Sequence, residues 1–270
     1  HFSNDIFKIW CGEQVENKKK LLVSSHGGMI PQKYDIFDHD EKISYKKVVW
    51  HKPLNQQQIQ LVPNKLTFED YRRKNSKKIL LTCYESQLLN YRCQSGPHSG
   101  QVIDDFNQKV EFINLIEKKF YSLLKIRPGP NRGWNTKKRF SDLFGSEIID
   151  KEKSYLNSLK RTKISITTYP QTTFSESIAH NVPSICLLKE EYWDTEDTFK
   201  NYYQDLKKNK IIFSDPILAA KHLNEVYENI DEWWNSEAVK NLKEYFFKNI
   251  IKYEKDKTYD WVNYLKHIAN

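Results

Sequence analysis

The segment ISITTYPQTTFSESIAHNVPSICLL, residues 164–188, reads as a strand, a tight loop, a short helix and a second strand. Its β-branched start favours a strand, and Pro170 ends that strand because proline has no backbone N–H. Thr172 or Thr173 can cap the helix, and Glu176 follows Thr173 at the spacing of a capping box. Such a βαβ unit suits an anion, which a helix N-terminus binds through its free N–H groups. A capped helix of any α/β protein would carry the same residues, so both interpretations stand at this point.

Composition and charge describe a globular chain with no stretch near the roughly 18 apolar residues of a membrane span. Its 43 Lys and Arg outnumber 35 Asp and Glu, but the basic residues are scattered in short groups such as residues 18–20. Zinc-finger spacing and RNA-recognition signatures are absent, which argues against nucleic acid as a partner. The net charge of +8 remains compatible with an anionic substrate or a membrane surface.

The four cysteines, Cys11, Cys83, Cys93 and Cys186, form no C-x-x-C pair, and two of them fall in apolar, strand-like runs. Buried thiols are the common outcome for such residues. We therefore expect a reducing, cytoplasmic setting, with neither a structural metal nor a cofactor.

The second half of the chain alternates strand-like and helix-like stretches. KILLTC, residues 78–83, is a continuous apolar run typical of a buried parallel strand, and residues 105–119 have the apolar spacing of an amphipathic helix. The alternation predicts an α/β fold with a Rossmann-type parallel sheet and helices on both faces. Such sheets bind ligands beyond the carboxyl ends of their strands. Three unusual loops are expected there: residues 84–86, 127–134 and 169–176.

Two arginines lie in the second of these loops, RPGPNRGW. Its prolines and glycines exclude a helix interior, and a rigid loop would hold Arg127 and Arg132 at a strand end beside Gly133. Guanidinium groups in that position suit phosphate or carboxylate. Arginines that are merely solvated in a surface loop are the alternative interpretation.

The first part of the chain places a histidine at a strand end. A short strand at residues 21–23 leads into His26, Gly27 and Gly28, and the glycines let the backbone turn sharply and approach a ligand. A structural histidine before a turn is the alternative. The acidic residues 38–41 that follow suit either acid–base or metal chemistry, or a solvated polar loop.

These loops, in this order, resemble the C-terminal half of a GT-B glycosyltransferase. More closely, nearly the whole chain resembles a family of transferases encoded in bacterial O-antigen and related surface-glycan loci. The resemblance is carried by His26-Gly27-Gly28 and by residues 38–41, 127–134, 168–176, 181–185 and 233–234.

That resemblance implies two Rossmann-like lobes that face each other across a cleft. Residues 1–62 would be the end of an acceptor-side lobe, and residues 63–250 would form the domain that binds the nucleotide sugar. Residues 251–270 would be a C-terminal helix packing back toward the first lobe. The polar residues 51–76 fit a connecting segment between the lobes. About a lobe's worth of sequence is also expected before His1.

The resemblance also implies how the donor is held. A metal-independent GT-B site stabilises the leaving nucleotide phosphate with arginines and a helix N-terminus. Arg127 and Arg132 are the candidate arginines, and Thr172 and Thr173, after Tyr169, are the candidate helix start.

The remaining expected roles concern the ribose, the base and the backbone. Glu176 would hydrogen-bond ribose hydroxyls, a role that competes with capping. The base that deprotonates the acceptor would be His26 or, failing that, Asp40, because both come from the lobe opposite the donor. The glycines that would support the site are Gly27, Gly28 and Gly133.

A specific donor and acceptor are also implied. An arginine–proline loop paired with a Thr/Ser-rich loop is similar to that of bacterial sialyl- and Kdo-transferases, which points to a CMP-linked acidic sugar. The acceptor would be a glycan or a lipid-linked precursor, met in the cytoplasm or by peripheral association with the inner face of the membrane. A polyol-phosphate transferase, a nucleotide-sugar epimerase of GT-B shape and a non-catalytic sugar-nucleotide-binding module remain alternatives.

Overall fold

A computed structural model describes residues 4–28, 30–33, 38–63, 69–71, 75–89, 95–254 and 256–269. Cys93 and the basic residues 72–74 lie outside these ranges. The strands are β1 Leu22–Ser24, β2 Lys46–Val49, β3 Gln58–Gln60, β4 Lys78–Thr82, β5 Leu124–Arg127, β6 Thr162–Thr167, β7 Ser184–Leu187 and β8 Ile212–Phe213. The helices are α1 Asp5–Glu16, α2 Asp38–Ile43, α3 Gln101–Leu115, α4 Lys118–Tyr121, α5 Thr136–Phe144, α6 Tyr155–Leu159, α7 Thr172–Ala179, α8 Lys200–Lys208, α9 Pro216–Val226, α10 Ile230–Trp234, α11 Glu237–Tyr245 and α12 Lys257–Ala269.

The larger sheet has five parallel strands in the order β5-β4-β6-β7-β8. Helices α3 and α9 pack together on one face, where Ile79, Ile164 and Ile185 are fully buried. Helix α7 packs against β6 and β7. The parallel α/β class is thereby confirmed. The chain reverses its direction of travel across the sheet between β4 and β6, and ligands of doubly wound folds bind at that switch point.

The β6 face that meets α7 is lined by small hydroxyl residues. The Ser177 hydroxyl donates to Ser165 Oγ at 3.0 Å, and the Tyr155 hydroxyl donates to the Thr173 carbonyl at 2.9 Å. Small side chains let a helix lie close to a sheet, and these hydrogen bonds satisfy part of the hydroxyl groups buried there. This network fixes the first turn of α7 relative to the sheet.

The smaller sheet has three parallel strands in the order β1-β2-β3. Strand β3 falls inside residues 51–76, so the prediction that this whole segment is only a connection is wrong. Its sequence, QIQ, is a weak strand former, but pairing with β2 overrides local preference. Helix α5, Thr136–Phe144, likewise has no counterpart among the expected elements.

The first sheet and the C-terminal helix pack together. Trp261 of α12 packs against Trp50 with ring centroids 6.3 Å apart, and its indole N–H donates to the Val62 carbonyl at 2.8 Å. Asp260 accepts a hydrogen bond from the Val62 N–H at 2.9 Å. Helix α12 therefore supplies part of the core that the three short strands lack.

A short segment after β1 joins the two sheets. The Ile30 N–H donates to the Pro170 carbonyl at 3.2 Å, and the Lys33 N–H donates to the Asp194 carbonyl at 2.8 Å. Gln32 forms an isolated bridge with Thr195. The loop that begins at His26 is thus tied to loops at the carboxyl edge of the larger sheet. No helix in the described ranges is both long and apolar enough to cross a bilayer.

Candidate functional site

The N-terminus of α7 lies at the switch-point edge of the larger sheet. The helix begins at Thr172 with Gln171 as its N-cap residue, and no side chain caps it. Glu176 is therefore the fifth helical residue, too far along to bond back to the cap, and the capping-box prediction is wrong. The first-turn N–H groups keep their capacity to donate to an anion, and the helix dipole favours negative charge there.

A glycine from the first lobe touches this helix start. Gly27 has φ +69°, in the left-handed region that favours glycine, and a Cβ at this position would overlap Oγ1 of Thr172. Only a residue without a side chain permits this approach. Two motifs that are 145 positions apart in the chain therefore meet in the fold.

His26, the residue before that glycine, lines a cavity between the lobes. This cavity of about 300 Å³ is lined by His26, Gly27 and Glu41 from the first lobe and by Glu196 from the second. Its volume is at the lower end of the range for small-molecule sites. Gly28 is buried and does not line the cavity.

Asp40, the alternative base candidate, is placed differently. It is only 4% exposed, and the neighbouring Glu41 lines the cavity instead. Burial raises the pKa of the Asp40 carboxyl above its ordinary value. Asp40 does not line this cavity, and its role as the base remains a prediction.

Glu176 is a half-buried carboxylate one turn into α7. It has no hydrogen-bond or ion-pair partner within the described part of the chain, and burial raises its pKa from 4.5 to about 7. An unpaired, half-buried carboxylate oxygen can accept hydrogen bonds from the hydroxyl groups of a ligand.

The loops after β4 and β6 are joined across the switch point. Tyr84 donates its N–H to Thr168 Oγ1 at 2.9 Å, and its ring packs against Tyr169 with centroids 5.5 Å apart. Burial raises the pKa of Tyr169 to about 12, so its hydroxyl is a neutral hydrogen-bonding group near pH 7. Tyr169 therefore stands directly between the sheet edge and the start of α7.

Sequence reasoning missed Glu85, which organises the arginine loop. Its buried carboxylate accepts the Arg132 N–H at 2.8 Å and the hydroxyl of Thr136 at the start of α5. A Cβ on Gly129 would lie 2.9 Å from the Cβ of Glu85, so the loop is pressed against this residue. A glutamate directly after an apolar strand was the only sequence signal, and it is a weak one.

The two arginines differ in what they contact. Arg127 forms an ion pair with Asp150 at 2.8 Å and donates to the Glu152 carbonyl at 3.0 Å. Its guanidinium is thus engaged at the outer edge of the sheet. Arg132 is exposed, and its guanidinium has no partner among the described residues. Gly133 adopts φ +109° with its Cα against Leu88, which a Cβ would approach to 2.7 Å.

A second histidine at the cavity was also missed. His51 follows β2 as His26 follows β1, and both residues line the same interlobe cavity. The sequence signal was present, because His51 comes just after the apolar, β-branched run Val48-Val49-Trp50. Within the described ranges, no group of three or more His, Cys, Asp or Glu side chains is placed to hold a metal ion.

A family model described as LIC12162 family transferase matches residues 1–265. The chain belongs to this transferase family. Among solved structures it is similar to TarM, with 12% identity and a TM-score of 0.49 over 91% of this chain; it spans about half, 49%, of the TarM chain. The complex of S. aureus MnaA with UDP is similar at 12% identity and a TM-score of 0.55, over 96% of this chain and 72% of that chain. At 12% identity, the structural similarity to MnaA supports a GT-B-like fold for this chain.

Proposed function

We propose that this chain is a glycosyltransferase that moves a sugar from a nucleotide-activated donor to an acceptor hydroxyl across the interlobe cleft. The observation that carries the proposal is the contact of Gly27 with Thr172. It puts a histidine-bearing loop of one lobe against an uncapped helix N-terminus of the other. Proton acceptance and phosphate stabilisation, the two needs of glycosyl transfer to an alcohol, thus come from opposite walls of one cleft.

The donor phosphates are proposed to lie at the first turn of α7. Its N–H groups and the hydroxyl of Thr172 would bind phosphate oxygens, and the helix dipole would favour their charge. The Thr173 hydroxyl is buried, so Thr173 would contribute through its backbone N–H. Glu176 would accept from the ribose hydroxyls, since capping does not use it. Arg132 would bind the donor with its guanidinium. The guanidinium of Arg127 is paired with Asp150, so Arg127 would support the loop at the outer edge of the sheet.

The leaving nucleotide would depart without help from a metal. Backbone N–H groups, hydroxyls and a guanidinium can together stabilise the developing phosphate charge. Tyr169 would pack beside the donor at the switch point. The base would come from the first-lobe wall, where His26 is the candidate named by the sequence.

The substrate class is part of the proposal. A CMP-linked acidic sugar is the proposed donor, and a uridine nucleotide is the competing choice because the similar MnaA structure contains UDP. The acceptor is proposed to be a surface glycan or its lipid-linked precursor, used in the cytoplasm or at the inner face of the membrane. A basic chain with a net charge of +8 is compatible with both acidic donors and anionic lipid surfaces.

Calorimetric titration with CMP, UDP, GDP and CDP tests the donor site. One nucleotide should bind selectively, and Glu176→Gln should weaken it about tenfold through loss of one charge-assisted hydrogen bond. The exposed Glu225→Gln on α9 is the matched control and should bind like the parent. If none of the four nucleotides binds, the transferase proposal fails.

Turnover then separates the remaining alternatives. Release of nucleotide from the matching nucleotide sugar supports transfer. Conversion of the intact sugar nucleotide into an isomer would identify an epimerase. Selective binding without any turnover, across a panel of acceptor glycans, would leave a sugar-nucleotide-binding module.

A further inference from the structure

Two parallel strands deliver two histidines to one cavity. Strands β1 and β2 pair in parallel with Ser24 opposite Val48, so their carboxyl ends lie side by side. His26 and His51 follow these ends and both line the interlobe cavity of about 300 Å³. The two imidazoles therefore share one wall, but their surroundings differ.

The imidazole of His51 is held in one tautomer. Its Nδ1 lies 2.8 Å from the carbonyl oxygen of Lys52. A carbonyl can only accept, so Nδ1 carries the hydrogen and donates it. In the neutral ring, the lone pair is then on Nε2, which has no hydrogen-bond partner within the described residues. This is the arrangement that a proton acceptor requires.

The second lobe fixes the ring from the other side. The His51 ring meets the Phe199 ring edge-on, with centroids 5.8 Å apart and an interplanar angle of 73°. The Lys52 N–H donates to the Asn249 carbonyl at 2.8 Å, which anchors the backbone that holds the His51 hydrogen. His51 is thus positioned relative to both lobes, as a group acting across a cleft must be.

Charges around His51 come from several elements. Lys47 of β2, Glu41 of α2, Lys33 and Lys42 line the cavity from the first lobe, and Glu196 faces it from the second, together with His26. Burial lowers the pKa of His51 below 6.5, and the charge of Lys47 adds to that shift while Glu41 opposes it. His51 is consequently neutral, and able to accept a proton, at pH 7.

We infer that His51 is the general base of the proposed glycosyl transfer and that its Nε2 takes the proton of the acceptor hydroxyl. This inference rests on the proposed function. As the acceptor O–H bond breaks, its oxygen forms a bond to the anomeric carbon of the donor. The bond between that carbon and the phosphate oxygen breaks, and its electron pair leaves with the nucleotide. The proton on His51 then passes to solvent.

Kinetics of the nucleotide sugar selected by the titration, with water as acceptor, test this role. The panel is UDP-N-acetylglucosamine, GDP-mannose, CMP-N-acetylneuraminic acid and CDP-glucose. His51→Gln should lower kcat about 100-fold with little change in KM, as expected for loss of a general base. The parent's rate should fall at acidic pH, as His51 becomes protonated at a pKa below 6.5, and this fall should disappear in His51→Gln; added imidazole should partly restore His51→Ala. The exposed His267→Gln on α12 is the control and should behave as the parent.

The possible results distinguish a failure of the role of His51 from a failure of the proposed glycosyltransferase function. Nucleotide-sugar binding with an unchanged kcat in His51→Gln would overturn the role of His51 alone. If the fall in rate at acidic pH disappeared in His26→Gln but persisted in His51→Gln, the base would be His26. Failure of every nucleotide sugar to bind would overturn both. NMR of ¹⁵N-histidine in the parent protein provides a check without a variant, because a proton on Nε2 of neutral His51 would exclude it as the base.

Discussion

The two walls of the cleft are built differently. The wall that is proposed to bind the donor, called the donor wall, is the edge of a five-stranded sheet with helices on both faces. Its buried Ile79, Ile164 and Ile185 come from one continuous stretch of chain. The histidine wall stands on three short strands whose buried core, Val48, Trp50 and Leu61, is completed by side chains of α12. One wall is thus stabilised by sequence-local α/β units, and the other depends on a helix roughly 200 residues further along.

This difference predicts which substitutions should destabilise each wall. The donor wall combines a rigid core with individual polar groups whose ionisation burial has shifted, as at Glu176. The histidine wall has few apolar residues of its own, so losing one distant contact should loosen the whole sheet. Three substitutions test the contrast, in order of decreasing expected effect.

Trp261→Ala should produce the largest effect, because it removes the indole from Trp50 and its hydrogen bond to the Val62 carbonyl. We expect a loss of about 3 kcal/mol in the free energy of unfolding. Hydrogen exchange should accelerate in β1 and β2 much more than in β4 and β6. Tyr259→Ala, at a 66% exposed position of the same helix, is the control. Equal acceleration in both sheets would refute the contrast between the walls.

Gly27→Ala should have an intermediate effect, confined to the contact between the walls. The new Cβ would overlap Thr172 at a positive φ, so the loop must shift at a cost of about 2 kcal/mol. Gly12→Ala is the matched control, because nothing lies within 4 Å of a Cβ there. Urea unfolding measures the loss, and a second change, Thr172→Ala, should recover part of it. Equal stability of the Gly27 and Gly12 variants would show that the walls do not meet as described.

Glu176→Gln should have the smallest effect, and that effect should grow as pH rises from about 4.5 to 7. The folded pKa of about 7 exceeds the ordinary 4.5, so the parent loses stability as pH rises from about 4.5 through 7. The glutamine cannot ionise and should escape this loss, which we place at about 1 kcal/mol because the group is partly exposed. Unfolding at pH 5 and pH 8 measures it. If the difference in unfolding free energy between the parent and the variant were the same at pH 5 and pH 8, the shifted pKa would be contradicted.

Particular residues show how far sequence reasoning reached. The β-branched and apolar runs around Ile164 and Ile79 predicted strands, and these strands pair in parallel, so the loops that follow them lie at one edge of the sheet. Thr173 and Glu176 matched a capping box, yet the helix begins at Thr172, because a motif of four residues does not fix the start of a helix. Arg127 stays a prediction at the donor, and the structure adds an ion pair with Asp150, which follows a loop and a helix and which no local pattern indicated.

By itself, the sequence determined the elements that depend on local preference: the alternation of strands and helices from β4 onward, and loops at their carboxyl ends. These follow from side-chain periodicity and from proline and glycine, which act within a few residues. Only the tertiary structure decided that Gly27 meets Thr172, that His51 shares a cavity with His26, and that Trp261 completes the first sheet. Those contacts join residues far apart in the chain, and packing and hydrogen-bond geometry, which no local pattern records, select them.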